Sequence, residues 1–144
     1  MAPKLQIALD CVDAHAVAKF WSEALGYDVV SDPDFVQSMI DQGMATEADT
    51  VMVDGVLSWK GAAAITDPDG VRPRWYFQDV PEPRGEKNRM HVDIHLEPGD
   101  DRAAEVARLE SLGATQLYEG GQGHHSWVTM ADPEGNEFCV AGGS

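Results

Sequence analysis

Cysteine is scarce in this chain: Cys11 and Cys139 are the only two in 144 residues, each within an apolar stretch. That excludes a disulfide-stapled scaffold and points to a reduced, intracellular protein, for which a cytoplasmic location is expected. Long apolar runs are missing too. None approaches the roughly 20 residues that span a bilayer, so no membrane segment is expected. The opening Met1-Ala2-Pro3-Lys4-Leu5 carries no apolar core of a signal peptide. Basic charge is outweighed, with 10 Lys and Arg against 25 Asp and Glu and a net charge of −15. Phosphate backbones and anionic membranes repel such a surface, so neither nucleic acid nor membrane is an expected partner. There is no Gly-rich phosphate loop, no GxSxG elbow and no CxxC pair, which removes the commonest nucleotide-binding, serine-hydrolase and dithiol chemistries.

What is present is a repeat. Asp67-Pro68-Asp69-Gly70 returns as Asp132-Pro133-Glu134-Gly135, and Leu25-Gly26 returns as Leu112-Gly113. Leu5-Gln6-Ile7-Ala8-Leu9-Asp10 aligns with Met90-His91-Val92-Asp93-Ile94-His95. The last two correspondences are offset by 87 and 85 positions, the first by 65, so the first half carries an insertion of about 20 residues. Each half reads as strand, helix and further strands. Apolar Leu5, Ile7 and Leu9 alternate before Asp13, which can cap a helix with Val17, Phe20, Trp21, Ala24 and Leu25 on one stripe and Gly26 as its stop. In the second half a strand over 88–97 precedes a helix capped by Asp100 or Asp101, carrying Val106, Leu109 and Leu112 to Gly113. Strands follow near 115–118, 126–130 and 136–141. The insertion, 31–55, holds a short helix face (Phe35, Val36, Met39, Ile40) and an Asp54-Gly55 hairpin signal. It could cover a pocket as a lid or plug an edge of the core.

The paired βαβββ modules, the Phe20-Trp21…Leu25-Gly26 helix end and the closing Asp132-Pro133-Glu134-Gly135-Asn136-Glu137-Phe138 motif resemble the vicinal oxygen chelate superfamily. That superfamily holds glyoxalase I, extradiol dioxygenases, and fosfomycin- and bleomycin-resistance proteins. The run Trp75-Tyr76-Phe77-Gln78-Asp79-Val80-Pro81-Glu82-Pro83 and Lys87-Asn88-Arg89-Met90-His91-Val92-Asp93 resembles its glyoxalase-like subgroup. The resemblance implies an α+β fold: two tandem modules, 4–80 and 88–142, forming an open half-barrel pair in a single domain over 1–144. It also implies a homodimer and a small-molecule ligand in the concave face. The metal-ligand positions it carries over are Gln6, Gln78, His91 and Cys139, with Phe77-Gln78 matched to Phe138-Cys139 by the repeat, for one divalent Zn, Ni, Mn or Fe ion.

The donors at those positions fit that implication poorly. A hard cation wants carboxylates or imidazoles, and only His91 qualifies. Glyoxalase I-type isomerisation also needs a carboxylate at the metal to move a proton from carbon, and none stands at positions 78 and 139. Activity of that type is therefore not expected. His91, Asp93 and His95 alternate on one strand and share a face, with Gln6, Ala8 and Asp10 on the equivalent face of its counterpart. A metal held by His91, His95, Asp93 and Asp10 is one alternative. His91 with Asp93 as metal-free acid–base machinery is another, and plain hydrogen-bonded polar residues are the third. Trp59, Trp75, Phe77 and Trp127 fall on strands and are expected walls for a flat ligand or parts of an ordinary core. His124-His125 follow Gly120-Gly121-Gln122-Gly123, read as a loop tip. Arg72, Arg74, Arg84, Lys87 and Arg89 cluster within 18 positions and would attract an anion or an acidic partner surface. Two functions follow: a glyoxalase-like lyase or isomerase, or a metal-free protein that sequesters an organic compound.

Overall fold

A computed structural model describes Ala2 and residues 4–144. Met1 and Pro3, within the segment read for a signal peptide, lie outside the described residues. The chain forms two compact units, residues 1–81 and 82–144. Each has a four-stranded sheet that stays open at both edges.

In the first unit β1 (Gln6–Cys11), α1 (Ala14–Leu25) and β2 (Asp28–Val29) are followed, after the insertion, by β5 (Ala62–Thr66) and β6 (Arg74–Asp79). The sheet order is β1-β6-β5-β2. Helix α1 begins where Asp13 accepts from the Ala16 N–H at 3.1 Å and ends at Gly26, whose φ of 70° suits a residue without Cβ. Its stripe of Val17, Phe20, Trp21 and Ala24 is buried. Trp21 meets Trp75 with ring centroids 4.7 Å apart, and Trp75 stacks on Phe77 at 6.2 Å. The Asp79 carboxylate accepts from the Ala14 N–H at 2.7 Å, tying the end of β6 to the start of α1.

The insertion runs past its predicted end. It holds α2 (Pro33–Asp41), capped by Asp32, a short 3₁₀ turn (Glu47–Asp49), and a hairpin of β3 (Thr50–Val53) and β4 (Val56–Trp59). The hairpin is a separate two-stranded sheet turning at Asp54 and Gly55, both with positive φ.

The second unit repeats the plan with β7 (Val92–Leu96), α3 (Arg102–Leu112), β8 (Thr115–Gln122), β9 (His125–Ala131) and β10 (Glu137–Gly142), ordered β7-β10-β9-β8. Asp101 caps α3 by accepting from the Ala104 N–H at 3.0 Å. Val106 and Leu109 are buried, as are Val128, Met130, Phe138 and Val140 of the sheet. In both units the Asp-Pro-x-Gly turn is built on a buried aspartate. Asp67 accepts N–H bonds from Asp69, Val71 and Arg72, and Asp132 from Glu134 and Asn136. Two βαβββ units and no closed barrel match the expected fold class.

The pairing registers correct one correspondence within the repeat. Ile65 and Met130 each stand two residues before the turn aspartate; they pair with Trp75 and Phe138. Trp75 follows Asp67 by eight positions, whereas Phe138 follows Asp132 by six. The first turn is longer by two residues, so Cys139 corresponds to Tyr76 and not to Gln78. A two-residue shift preserves strand alternation, and Gln78 stays on the same face as Tyr76.

Candidate functional site

The second unit carries a concave pocket of about 670 Å³ on the sheet face away from the buried apolar residues. Strand alternation decides what lines it. On β10, Phe138 and Val140 are buried while Glu137, Cys139 and Ala141 turn to the pocket. Asp93 pairs with Cys139, which pairs with Thr129, which in the next strand faces Tyr118. One step along the strands, His95, Ala141, Trp127 and Gly120 form the next row. Gly120 is required there: a Cβ would stand 2.5 Å from Cε2 and Nε1 of Trp127, so the indole lies where a side chain would be.

His91, Asp93, His95, Cys139 and Trp127, expected from different stretches of sequence, are brought together here. His91 Nδ1 lies 2.9 Å from Asp93 Oδ1. A carboxylate at one ring nitrogen fixes the tautomer and leaves Nε2 for another partner. The ligand atoms of His91, Asp93 and Cys139 all lie within 4.8 Å of one another. Burial pushes the Cys139 thiol above its ordinary range; a hydrogen bond with Thr129 works against this, and the charge of Asp93 adds to it. His124 and His125 also line the pocket. The loop they were expected to tip is a tight turn of Gly123 and His124: β8 continues through Gly120, Gly121 and Gln122, and His125 opens β9.

Glu137 was missed by the sequence reading. Its carboxylate faces the pocket two residues before Cys139, so the strand does supply a carboxylate, one row from the position where the family resemblance placed it. Period-two alternation from Cys139 is the signal that finds it. Lys87 Nζ holds it at 2.6 Å and Arg84 at 3.5 Å. The Lys87 hydrogen bond keeps Glu137 below, and Lys87 above, their usual ranges.

The remaining expected residues fare differently. Gln6, Asp10 and Gln78 share a face in the first unit, where each is occupied. Arg74 Nη1 donates to Gln6 Oε1 at 2.6 Å, and Gln78 Nε2 donates to Asp10 Oδ1 at 2.8 Å. A cation at Gln6 would compete with a guanidinium for the same oxygen. Trp75 and Phe77 take the second of their two readings, core and not ligand wall: at 4% and 0% exposure they pack toward α1. Trp59 is corrected, since it lies on the insertion hairpin and not on a four-stranded sheet; its carbonyl oxygen is 2.7 Å from His15 Nε2. Four of the five residues in the basic cluster are divided among separate partners, Arg72 on Asp67, Arg74 on Gln6, and Arg84 and Lys87 on Glu137.

The donor set decides which metal fits. Imidazole, carboxylate and a thiol that must lose its proton suit a borderline ion such as Zn²⁺ and not a hard one. The four-residue set of Gln6, Gln78, His91 and Cys139 does not fit a hard cation. The trio His91, Asp93 and Cys139 fits zinc.

Residues 6–141 match the glyoxalase-like domain family. The chain belongs to that family, within the vicinal oxygen chelate superfamily. Solved structures agree on the fold. A point mutant of the fosfomycin-resistance protein FosX from Listeria monocytogenes, complexed with Mn(II) and a dihydroxypropylphosphonic acid, superposes with a TM-score of 0.64 at 12% identity, covering 100% of this chain and 93% of that one. A lactoylglutathione lyase from Agrobacterium tumefaciens gives 0.56 at 14% identity, with 98% and 93% covered. A glyoxalase/bleomycin resistance protein/dioxygenase family enzyme from Burkholderia phytofirmans gives 0.61 at 11%, with 94% of each chain covered. At such identities the likeness of this glyoxalase-like chain to them is one of fold. No curated protein matches its sequence significantly.

Proposed function

We propose that this glyoxalase-like protein takes a small oxygenated organic molecule on the concave face of its second unit, and acts on it as a lyase or isomerase. The observation that carries the reading is the His91–Asp93 pair at 2.9 Å, set in a pocket of about 670 Å³. Asp93 orients the imidazole and stabilises its protonated form, so His91 can accept a proton from the ligand and return it. Trp127 and Tyr118 offer flat apolar surface to the rest of the molecule. In the metal-bound alternative His91, Asp93 and Cys139 would instead serve as ligands of a zinc-type ion, which would supply Lewis-acid polarisation of a ligand oxygen, and His91 would then carry no proton.

Equilibrium dialysis with zinc, followed by elemental analysis, tests the reading together with an assay on the methylglyoxal–glutathione hemithioacetal. The expectation is one zinc per chain, lost in His91→Ala and Cys139→Ala, and no turnover of the hemithioacetal. Failure to take up zinc, with no ligand raising the melting temperature, would contradict it.

A metal-free sequestering protein is the second reading. It is favoured by the engagement of Gln6 and Gln78 with Arg74 and Asp10, and by the raised thiol at Cys139. Ligand binding that survives chelator treatment unchanged supports this second reading. A homodimer formed along open sheet edges belongs to the proposal as well, and light scattering giving twice the chain mass supports it.

A further inference from the structure

The pocket is not chemically uniform along its strands. At the end where β10 begins, every charge has a partner: Lys87 with Glu137, and His91 with Asp93. Two rows beyond Cys139 the register places His125, with His95 and Trp127 in the row between. At about 3.3 Å per residue, four strand positions separate Cys139 from that far end by roughly 13 Å. Arg102 lines the pocket there. Its Nη1 donates to the carbonyl oxygens of Ser126 and Gly142, at 3.0 Å each. Those two bonds fix the guanidinium and use two of its five N–H donors, leaving three. Among the described residues no side-chain carboxylate pairs with the Arg102 guanidinium, and none hydrogen-bonds His95 or His125. In a chain of net charge −15, this end of the pocket gathers N–H donors around one guanidinium that no side-chain carboxylate pairs.

We propose that the ligand is an organic acid about as long as the pocket. Its carboxylate meets Arg102 with His95 and His125, and its apolar middle crosses Trp127. Its oxygenated end reaches His91 and Cys139. The proposal rests on the ligand-pocket reading above and names the substrate class. An acidic protein would draw cations from a distance, but the local donors select an anion at contact range, where a planar guanidinium matches a planar carboxylate. His95 and His125 add N–H donors in either protonation state.

The test compares two probes of one shape on the full chain, 3-phenylpropionate and 3-phenylpropylamine, by titration calorimetry and by amide and indole NMR shifts. The acid is expected to shift Arg102, His95, His125 and the Trp127 indole, and to bind at least tenfold tighter than the amine. Arg102→Gln should weaken the acid at least tenfold, with Arg102→Lys recovering part of the loss. Because Arg102 also braces two strand carbonyls, His95→Gln/His125→Gln is the second variant; it leaves those bonds intact and should weaken the acid severalfold with its melting temperature held. Amine binding in this pocket as tight as the acid overturns the inference and leaves the pocket reading standing. Undiminished acid binding by the double histidine variant, or by a folded Arg102→Gln, overturns it too. If neither probe moves the pocket resonances, both readings fall.

Discussion

Cys139 shows how a single position can be right in place and misread in chemistry. The family resemblance puts a carboxylate there, and the residue is a thiol whose pKa burial raises, beside Asp93. A thiolate is the reactive form, so Cys139 should alkylate more slowly with iodoacetamide at pH 8 than a free thiol does, and zinc should protect it further. Fast alkylation at pH 8 would contradict the environment described. Glu137 supplies the missing carboxylate one row away. Its lowered pKa sets a sign: the stability it contributes is present above the ordinary carboxylate range and is lost as pH falls through its folded value. Lys87, raised by the same bond, keeps its contribution until the pH rises through its own folded value. Both are therefore present at pH 7. Lys87→Met should lower the urea midpoint at pH 7, and the difference from wild type should vanish in acid.

At the scale of elements, most of the architecture was legible because its causes are local. Asp13 and Asp101 cap helices, Gly26 and Gly113 end them, and alternating apolar residues mark strands. The spacing of the Asp-Pro-x-Gly turns also showed the insertion. What was not legible depended on pairing. Hydrophobic Trp75 and Phe77 could face a ligand or a helix, and only the packing of α1 on β6 decides. The length of the first turn, two residues greater than the second, shifted the match between Gln78 and Cys139 without changing their face. Trp59 belonged to a hairpin whose end the composition did not mark. Two substitutions probe these elements. Phe77→Ala empties a fully buried site and should cost about 3–5 kcal/mol of stability, read from urea unfolding. Gly120→Val places side-chain atoms where the Trp127 indole lies. It should shift indole fluorescence and weaken 3-phenylpropionate binding while the chain stays folded; unchanged fluorescence and binding would contradict the packing of Trp127 on Gly120.

For the whole molecule, the acidity and the absence of any helix long and apolar enough to cross a membrane among the described residues narrow the setting but do not name a reaction. Fold membership is equally permissive, since one scaffold hosts many chemistries. The chemistry-bearing side chains gather on one face of the second unit, where His91, Asp93 and Cys139 meet in a pocket lined by Trp127 and Tyr118. His91 separates a working site from a structural one. An exposed histidine bonded to one carboxylate contributes little to folding, while a ligand or proton carrier is indispensable to function. The most direct measurement is zinc uptake and melting temperature on the same preparation of His91→Ala. The predicted result is a melting temperature within a few degrees of wild type with uptake lost. A large fall in melting temperature with undiminished zinc uptake would contradict the assignment.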